Sequence, residues 1–380
     1  MHKKKILIMV DWFTPGYKAG GPIRSVSNVA KALKNNYQIY ILTTDTDHGE
    51  VEPYKNISSD KWISDTDDGI NIYYAKKNTL SANRLKKQIL HVDPDYIYLN
   101  HLFSPYFVLH PLWLKFRGKV KSKIILCPRG ALYESALSLK AYKKRPLLQL
   151  LKWMQVQKFI TFHATNEREK SALENYFPES KIIVADNLSA ADQPVNAECV
   201  KDVGSVRCIF IARIVPIKNL YFLLEVLEKI KSTVQLTVIG PIENKDYWEQ
   251  CQHKIEKLPD NIRVNYEGAK NSNELLPIIQ RHHLFILPTK GENYGHSIVE
   301  SLIAGRPVLI SDQTPWLDIE TKKAGWAISL NNPAEFANVI DNVCKWDQLT
   351  FNEWSLSAWN YASSIIKNPL LQQSYFEMFS

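Results

Sequence analysis

The chain has 380 residues, 45% of them hydrophobic and 23% charged, with a net charge of +8. That length exceeds one ordinary core and the composition is globular. Fibrous, low-complexity and disordered classes are therefore excluded, and two domains of roughly 150–200 residues are expected. Five scattered cysteines (Cys127, Cys199, Cys208, Cys251, Cys344) form no C-x-x-C pair, which supports neither a disulfide framework nor a zinc site and fits a reducing cytosol.

Lys3-Lys4-Lys5 leads into only Ile6 to Val10 before Asp11, the pattern of a first buried strand and not of a secretion signal. Further strands are expected at Gln38 to Thr43, Asn71 to Tyr74, Tyr96 to Leu99, Lys123 to Leu126, Phe159 to His163 and Ile182 to Val184, alternating with helical patterns. Between the first two strands, Gly20-Gly21-Pro22 precedes Ile23, Val26, Val29, Ala30 and Leu33 at helical spacing: a strand, a Gly loop and a helix. The longest uncharged stretch, Tyr96 to Leu114, contains Asn100, His101, Ser104, Pro105, His110 and Pro111, so it reads as strand, loop and helix and not as a membrane span.

Charge is uneven. Residues 1–200 hold 29 Lys and Arg against 19 Asp and Glu, and the remainder 18 against 20. Residues 115–145 contain ten basic residues and one acid, Glu134. A solvated helix face is one reading; contact with an anionic lipid surface or a lipid-linked pyrophosphate is another. No nucleic-acid-binding motif accompanies the charge.

The pattern breaks over residues 186–205. Expected domains are therefore 1–190, a linker at 191–205, a second domain at 206–352, and a helical tail at 353–380 that packs back on the body. In the second half, strands are expected at Arg207 to Ile211, Gln235 to Ile239, Val264 to Tyr266, Leu284 to Leu287 and Val308 to Ile310. Helices are expected at Leu220 to Ile230, 246–257 and Asn273 to Gln280. Two such α/β units make twin Rossmann-like domains facing across a cleft, with ligands at the carboxyl ends of the strands.

Two segments carry chemistry. Arg213 and Lys218 follow the first strand of the second domain, where a guanidinium fork and a point charge suit a diphosphate. Gly291-Glu292-Asn293-Tyr294-Gly295 follows an apolar strand and opens a helix containing Glu300. A helix start offers backbone N–H groups to a phosphate, and the two carboxylates offer acceptors to sugar hydroxyls.

With Arg213-x-x-x-x-Lys218-Asn219, Gly291-Glu292-Asn293-Tyr294-Gly295, Glu300 and Ala304-Gly305-Arg306-Pro307-Val308 in this order, the chain resembles family 4 of the retaining nucleotide-sugar glycosyltransferases, which have the GT-B fold. The resemblance is sharp from about residue 205 to 320. It implies that Arg213 and Lys218 bind the donor diphosphate and stabilise the leaving nucleoside diphosphate. Glu292 would touch the donor sugar, Asn293, Tyr294, Gly295 and His296 would present backbone N–H groups, and Glu300 would hold the ribose. Gly21 would let its loop approach the diphosphate. The resemblance also implies front-face retention, with no cofactor and no metal needed for catalysis.

Other candidates are less specific. Asp45-Thr46-Asp47 and Asp65-Thr66-Asp67 look like metal-binding acid pairs, but turn formation explains them. His101 and Arg129 end strands of the first domain and are acceptor-side candidates, His101 as a base or a loop histidine, Arg129 toward an acceptor phosphate. Many family members carry a His in this region, where this chain has Cys127-Pro128-Arg129-Gly130. His163 reads as structural, Lys270 as a candidate contact to the nucleotide base, and the ten tryptophans mostly as core or domain-closure residues.

The expected function is a cytosolic, retaining glycosyltransferase that moves a sugar from a nucleoside-diphosphate sugar to a glycan. A lipid-linked acceptor of O-antigen or capsule synthesis at the inner membrane is the expected partner. The alternatives are a nucleotide-sugar 2-epimerase or phosphorylase on the same fold, a non-catalytic donor-binding subunit, and a membrane-surface or nucleic-acid binder using residues 115–145.

Overall fold

A computed structural model of the chain describes residues 3–64, 69–138, 141–189 and 199–380. The Asp65-Thr66-Asp67 pair and most of the expected linker lie outside them. The chain divides into two compact units, Met1–Leu188 with Pro369–Ser380, and Ser189–Asn368.

The first unit is built on an eight-stranded sheet: β1 (Lys5–Met9), β2 (Gln38–Thr44), β3 (Trp62–Ser64), β4 (Asn71–Ala75), β5 (Tyr96–Asn100), β6 (Lys123–Cys127), β7 (Ile160–Ala164) and β8 (Lys181–Val184). Spatial order is β3-β4-β2-β1-β5-β6-β7-β8. Every pair is parallel except β3 with β4. The helices are α1 (Gly21–Leu33), α2 (Ala82–Val92), α3 (His110–Phe116), α4 (Glu134–Leu137), α5 (Ala141–Trp153) and α6 (Glu167–Tyr176). Strand β1 shows why its sequence is apolar throughout. Ile6 and Ile8 pack into a core with Val26, Val29 and Leu33 of α1, while Leu7 and Met9 pack into a second core with Leu85 and Ile89 of α2. A parallel sheet covered on both faces leaves no polar side to its central strands. The short edge strand β3 is absent from the sequence expectations because three residues carry no usable alternation.

The second unit has six parallel strands: β9 (Ser205–Ile211), β10 (Thr233–Ile239), β11 (Ile262–Tyr266), β12 (Leu284–Leu287), β13 (Val308–Ser311) and β14 (Gly325–Ile328). Their order is β11-β10-β9-β12-β13-β14. The helices are α7 (Leu220–Leu227), α8 (Lys245–Ile255), α9 (Ser272–Ile279), α10 (His296–Ile303), α11 (Pro333–Cys344) and α12 (Gln348–Ile366). Asp347 caps α12 by accepting from the Thr350 N–H at 2.8 Å. In the core, Trp354 of α12 stacks on Trp326 of β14 and on Trp346, with ring centroids 4.5 and 5.0 Å away. Trp316 and Trp326 are also buried.

The tail differs in detail from the sequence expectation. It is two helices, because Pro369 disfavours helical backbone at Asn368. Helix α12 starts at Gln348 and stays with the second unit; only α13 (Pro369–Met378) and the residues after it join the first. There Tyr375, Met378 and Phe379 enter the core beside α1, and the Tyr375 hydroxyl donates to the Asp186 carbonyl at 3.2 Å.

Candidate active site

In the second unit the strand order reverses at β9, which is flanked by β10 on one side and β12 on the other. Ligands in open α/β sheets bind outside the carboxyl ends of strands at such a point. The segment leaving β9 carries Arg213 and Lys218, and the segment leaving β12 carries Glu292.

Backbone hydrogen bonds fix both segments. Ala212 N donates to Ile239 O at 3.0 Å and Ile214 N to Pro241 O at 2.9 Å, lacing the exit of β9 to that of β10. Gly240 makes this possible: at φ +147° it lies where a Cβ would come within 1.9 Å of the Ala212 carbonyl oxygen. On the other side, Lys290 N donates to Ile217 O at 2.7 Å and the Thr289 hydroxyl to the same oxygen at 3.1 Å. Glu292 N donates to Gln313 O at 3.0 Å.

The result is a salt bridge between Lys218 and Glu292, residues 74 positions apart in sequence, both side chains mostly buried. Arg213 does not join them. Its Nη1 donates to both carboxylate oxygens of Glu243, at 2.9 and 3.1 Å. Glu243 sits after β10 and was not singled out in the sequence; its only signal there is its place after a strand. Lys270 pairs with Glu267 at 3.5 Å.

Gly295 adopts φ +81° as the cap of α10. That left-handed backbone favours glycine, and a side chain there would also push on the Ile298 side chain, 2.6 Å away. Tyr294 is engaged structurally. Its hydroxyl pairs with Ser189 Oγ at 2.5 Å, its carbonyl accepts from Trp316 Nε1, and its ring lies against His296 and Trp316. Asn293 is half-buried in the turn before Gly295 and Glu300 half-buried within α10.

The first unit has its own reversal at β1, between β2 and β5. Gly21, assigned by resemblance to close approach, is the first residue of α1; the left-handed backbone, φ +68°, belongs to Gly20 before it. Asp11, two residues past this reversal strand, accepts from Ser104 Oγ at 2.8 Å. Burial pushes its carboxyl up to about 6, against the lowering effect of the Ser104 hydrogen bond. Sequence reasoning did not select it, although an acid at the carboxyl end of a first strand is a positional signal. His101 is exposed, at φ +71°, with its backbone N–H donating to Cys127 O at 3.0 Å.

Arg129 is drawn inward. Its guanidinium donates to Asn100 Oδ1 at 2.8 and 3.2 Å, to the Tyr98 hydroxyl at 3.2 Å, and to Asn187 Oδ1. The Tyr98 hydroxyl pairs with His163 Nδ1 at 2.8 Å, and His163 Nε2 pairs with Ala185 O at 2.7 Å. Burial lowers the His163 pKa to about 3, with the Arg129 charge adding to the effect, so this imidazole is neutral. The expectation that Arg129 reaches an acceptor phosphate thus meets a side chain already committed to a buried network.

Asp47 opens a turn closed by the Glu50 N–H on its carbonyl at 3.1 Å, but the carboxylates of Asp45 and Asp47 mainly tie together loops distant in sequence. Asp45 accepts from Ser59 Oγ at 2.8 Å and Lys77 N at 3.0 Å, and Asp47 from Tyr17 N at 2.9 Å, Lys18 N at 3.2 Å and His48 N at 2.7 Å.

Residues 205–345 match the sequence family described as glycosyl transferases group 1. Over 98% of its length the chain is 22% identical to an uncharacterized glycosyltransferase of Methanocaldococcus jannaschii, 94% of which is covered. It is similar in fold to Anabaena HepE, solved in complex with UDP and glucose, at TM-score 0.73, 16% identity and 99% coverage of both chains. It is similar also to WaaG, a glycosyltransferase involved in lipopolysaccharide biosynthesis, at TM-score 0.66, 11% identity and 98% coverage of both. The chain is a glycosyltransferase of the GT-B fold, with a group 1 glycosyl transferase domain in its second unit.

Proposed function

We propose that the chain is a retaining enzyme of glycosyltransferase family 4 that moves a sugar from a nucleoside-diphosphate sugar to a glycan hydroxyl. The observation that carries this reading is the convergence of Lys218, Glu292 and the start of α10 at the sheet reversal of the second unit, with Arg213 leaving the same strand. HepE, whose fold this chain shares, was solved with UDP and glucose, which supports a nucleotide-sugar donor here.

In this reading the donor diphosphate displaces Glu243 from Arg213 and Glu292 from Lys218. Both cations then neutralise the diphosphate, and Glu292 is released toward the donor sugar. Asn293 to His296 present backbone N–H groups, Glu300 holds the ribose, and Lys270 lies near the base. The bond from the anomeric carbon to the β-phosphate oxygen breaks on the face where the acceptor oxygen bonds. The acceptor's proton passes to that phosphate oxygen, and nucleoside diphosphate leaves. Charge develops on the leaving phosphate in the transition state, so cations fixed beforehand lower the barrier. No residue nucleophile and no metal take part in this scheme. His101 and Arg129 remain the acceptor-side candidates, and the buried commitment of Arg129 favours a positioning role for it.

The acceptor is proposed to be a lipid-linked oligosaccharide of O-antigen or capsule synthesis, met at the cytoplasmic face of an anionic membrane. The basic first unit and the fold shared with WaaG support this choice. No helix among the described residues is long and apolar enough to cross a membrane.

Incubation with labelled nucleotide sugars, with and without membrane extract, tests the reading. Label moved to the glycan with retained anomeric configuration is expected. Interconversion of free nucleotide sugar without acceptor would make it an epimerase.

A further inference from the structure

Among the large hydrophobic side chains that the described residues expose, all the aromatic ones fall in one stretch of the first unit: Tyr106, Trp113, Phe116, Tyr142 and Trp153. The others are aliphatic and scattered. Trp113 and Phe116 lie at the end of α3 and Trp153 ends α5. Their rings form one cluster, with the Phe116 centroid 5.7 Å from each tryptophan. The expectation that the tryptophans are mostly core does not hold for these two: Trp153 is 65% exposed and Trp113 40%.

Helix α5 extends the cluster. Tyr142, Pro146, Leu150 and Trp153 recur at helical spacing and all are exposed, while Leu148 and Leu151 enter the core. A solvated helix normally turns polar residues outward. Here the outward stripe is apolar and basic residues flank it: Lys143, Arg145 and Lys152 on α5, and Arg117, Lys119 and Lys121 after α3, all exposed. Arg117 lies over the Trp113 ring at 5.9 Å. From residue 96 to 166 the sequence has twelve Lys and Arg and a single acid, Glu134. An aromatic ridge rimmed by one sign of charge matches a surface that is apolar within and anionic at its boundary, the layered chemistry of an anionic bilayer.

We propose that this face docks the enzyme on an anionic lipid surface. Trp113, Phe116 and Trp153 enter the headgroup layer, and the flanking cations lie on lipid phosphates. Neither signal alone anchors a protein stably, and the two are adjacent here. The inference deepens the proposed function, and rests on it, in naming what would hold the enzyme beside a lipid-linked acceptor. It also places the apolar anchor partly outside the basic run of residues 115–145, at Trp113 and Trp153.

The test sediments the full chain with vesicles of phosphatidylcholine alone and of phosphatidylcholine mixed with phosphatidylglycerol, beside Trp153→Ser and Arg145→Glu. The response of each protein to UDP-, GDP-, ADP- and dTDP-sugars is measured by thermal shift without vesicles. Wild type is expected to favour the anionic vesicles by roughly tenfold or more, with Arg145→Glu lowering that binding roughly fivefold and Trp153→Ser roughly tenfold. Equal binding to both vesicles, or binding that neither variant changes, overturns the proposal. So does a concentration-dependent dimer that Trp153→Ser dissolves, which would assign the face to a second copy of the chain. If Trp153→Ser does not fold, Arg145→Glu decides alone. If no nucleotide sugar stabilises the wild type while vesicle binding follows the expected pattern, the donor reading falls and the surface stands.

Discussion

At the reversal of its sheet the second unit pairs side chains of opposite charge, Lys218 with Glu292 and Arg213 with Glu243. The first unit surrounds its cation, Arg129, with neutral acceptors from Tyr98, Asn100 and Asn187. The two arrangements behave differently toward an incoming anion. A carboxylate partner can be exchanged for a phosphate because the cation keeps a negative neighbour throughout. A guanidinium held by buried amides and a phenol cannot turn away without leaving those groups unpartnered, at about 1–3 kcal/mol each. Exchange for an anion is therefore open to the paired cations of the second unit, whereas Arg129 of the first is held in a fixed polar frame.

Substitutions at these residues separate the two arrangements. The largest effect is expected at Lys218. Lys218→Ala should lower transfer on the order of 10²–10³-fold, as removal of a transition-state donor does, with a lesser loss of stability in urea from the unpaired, mostly buried Glu292 carboxylate. Arg129→Met should do the reverse. Stability should fall by roughly 3 kcal/mol in urea unfolding, because three buried partners lose their donor. If Arg129→Met folds as well as wild type and loses only transfer, the frame assignment is wrong and Arg129 belongs with the reacting groups.

Asp11 comes next. Its folded pKa, about 6, lies above the ordinary carboxyl value of 3.8. The folded protein thus binds this proton more tightly than the unfolded chain does. Stability from this group is present below the lower value and is lost as pH rises through the higher one. Asp11→Asn should therefore gain on the order of 2 kcal/mol over wild type at about pH 8 and almost nothing at about pH 3. A difference independent of pH would contradict the assigned cause.

The smallest effect is expected at Glu243. The Arg213–Glu243 pair is partly exposed, so Glu243→Gln should move stability by less than about 1 kcal/mol. Nucleoside diphosphate affinity should rise a few-fold because a competing carboxylate is gone; weaker binding would show that Glu243 positions Arg213 rather than competing for it.

The same contrast explains what could be read in the sequence. The meeting of Lys218 with Glu292 in the second unit was legible because both lie in short segments next to strands. Lys218 follows β9 by a few residues and Glu292 follows β12, so identifying those strands nearly places both side chains. Glu243 escaped because nothing local distinguishes a loop glutamate that finds an arginine on the neighbouring strand exit. The first unit was legible in its strands but not in its polar frame. Arg129 meets Asn100 and Asn187 at sequence separations of 29 and 58, and no spacing rule links them. Asp11 looked like a strand end because its environment is supplied by Ser104, after β5. Which tryptophans are the exposed exceptions could not be read in the sequence for a related reason. Composition favours burying tryptophan, and only the packing of α3 against α5 shows Trp113 and Trp153 facing outward.

The proposed donor site is the reversal between β9 and β12, with Lys218 holding the diphosphate of a nucleoside-diphosphate sugar. A thermal-shift titration of wild type and Lys218→Ala with UDP-, GDP-, ADP- and dTDP-sugars tests it most directly. A ligand at about 100 times its dissociation constant stabilises by roughly 2.7 kcal/mol. One donor class should raise the wild-type midpoint, while Lys218→Ala loses most of that shift. Equal shifts in the two proteins would place the donor elsewhere and contradict it.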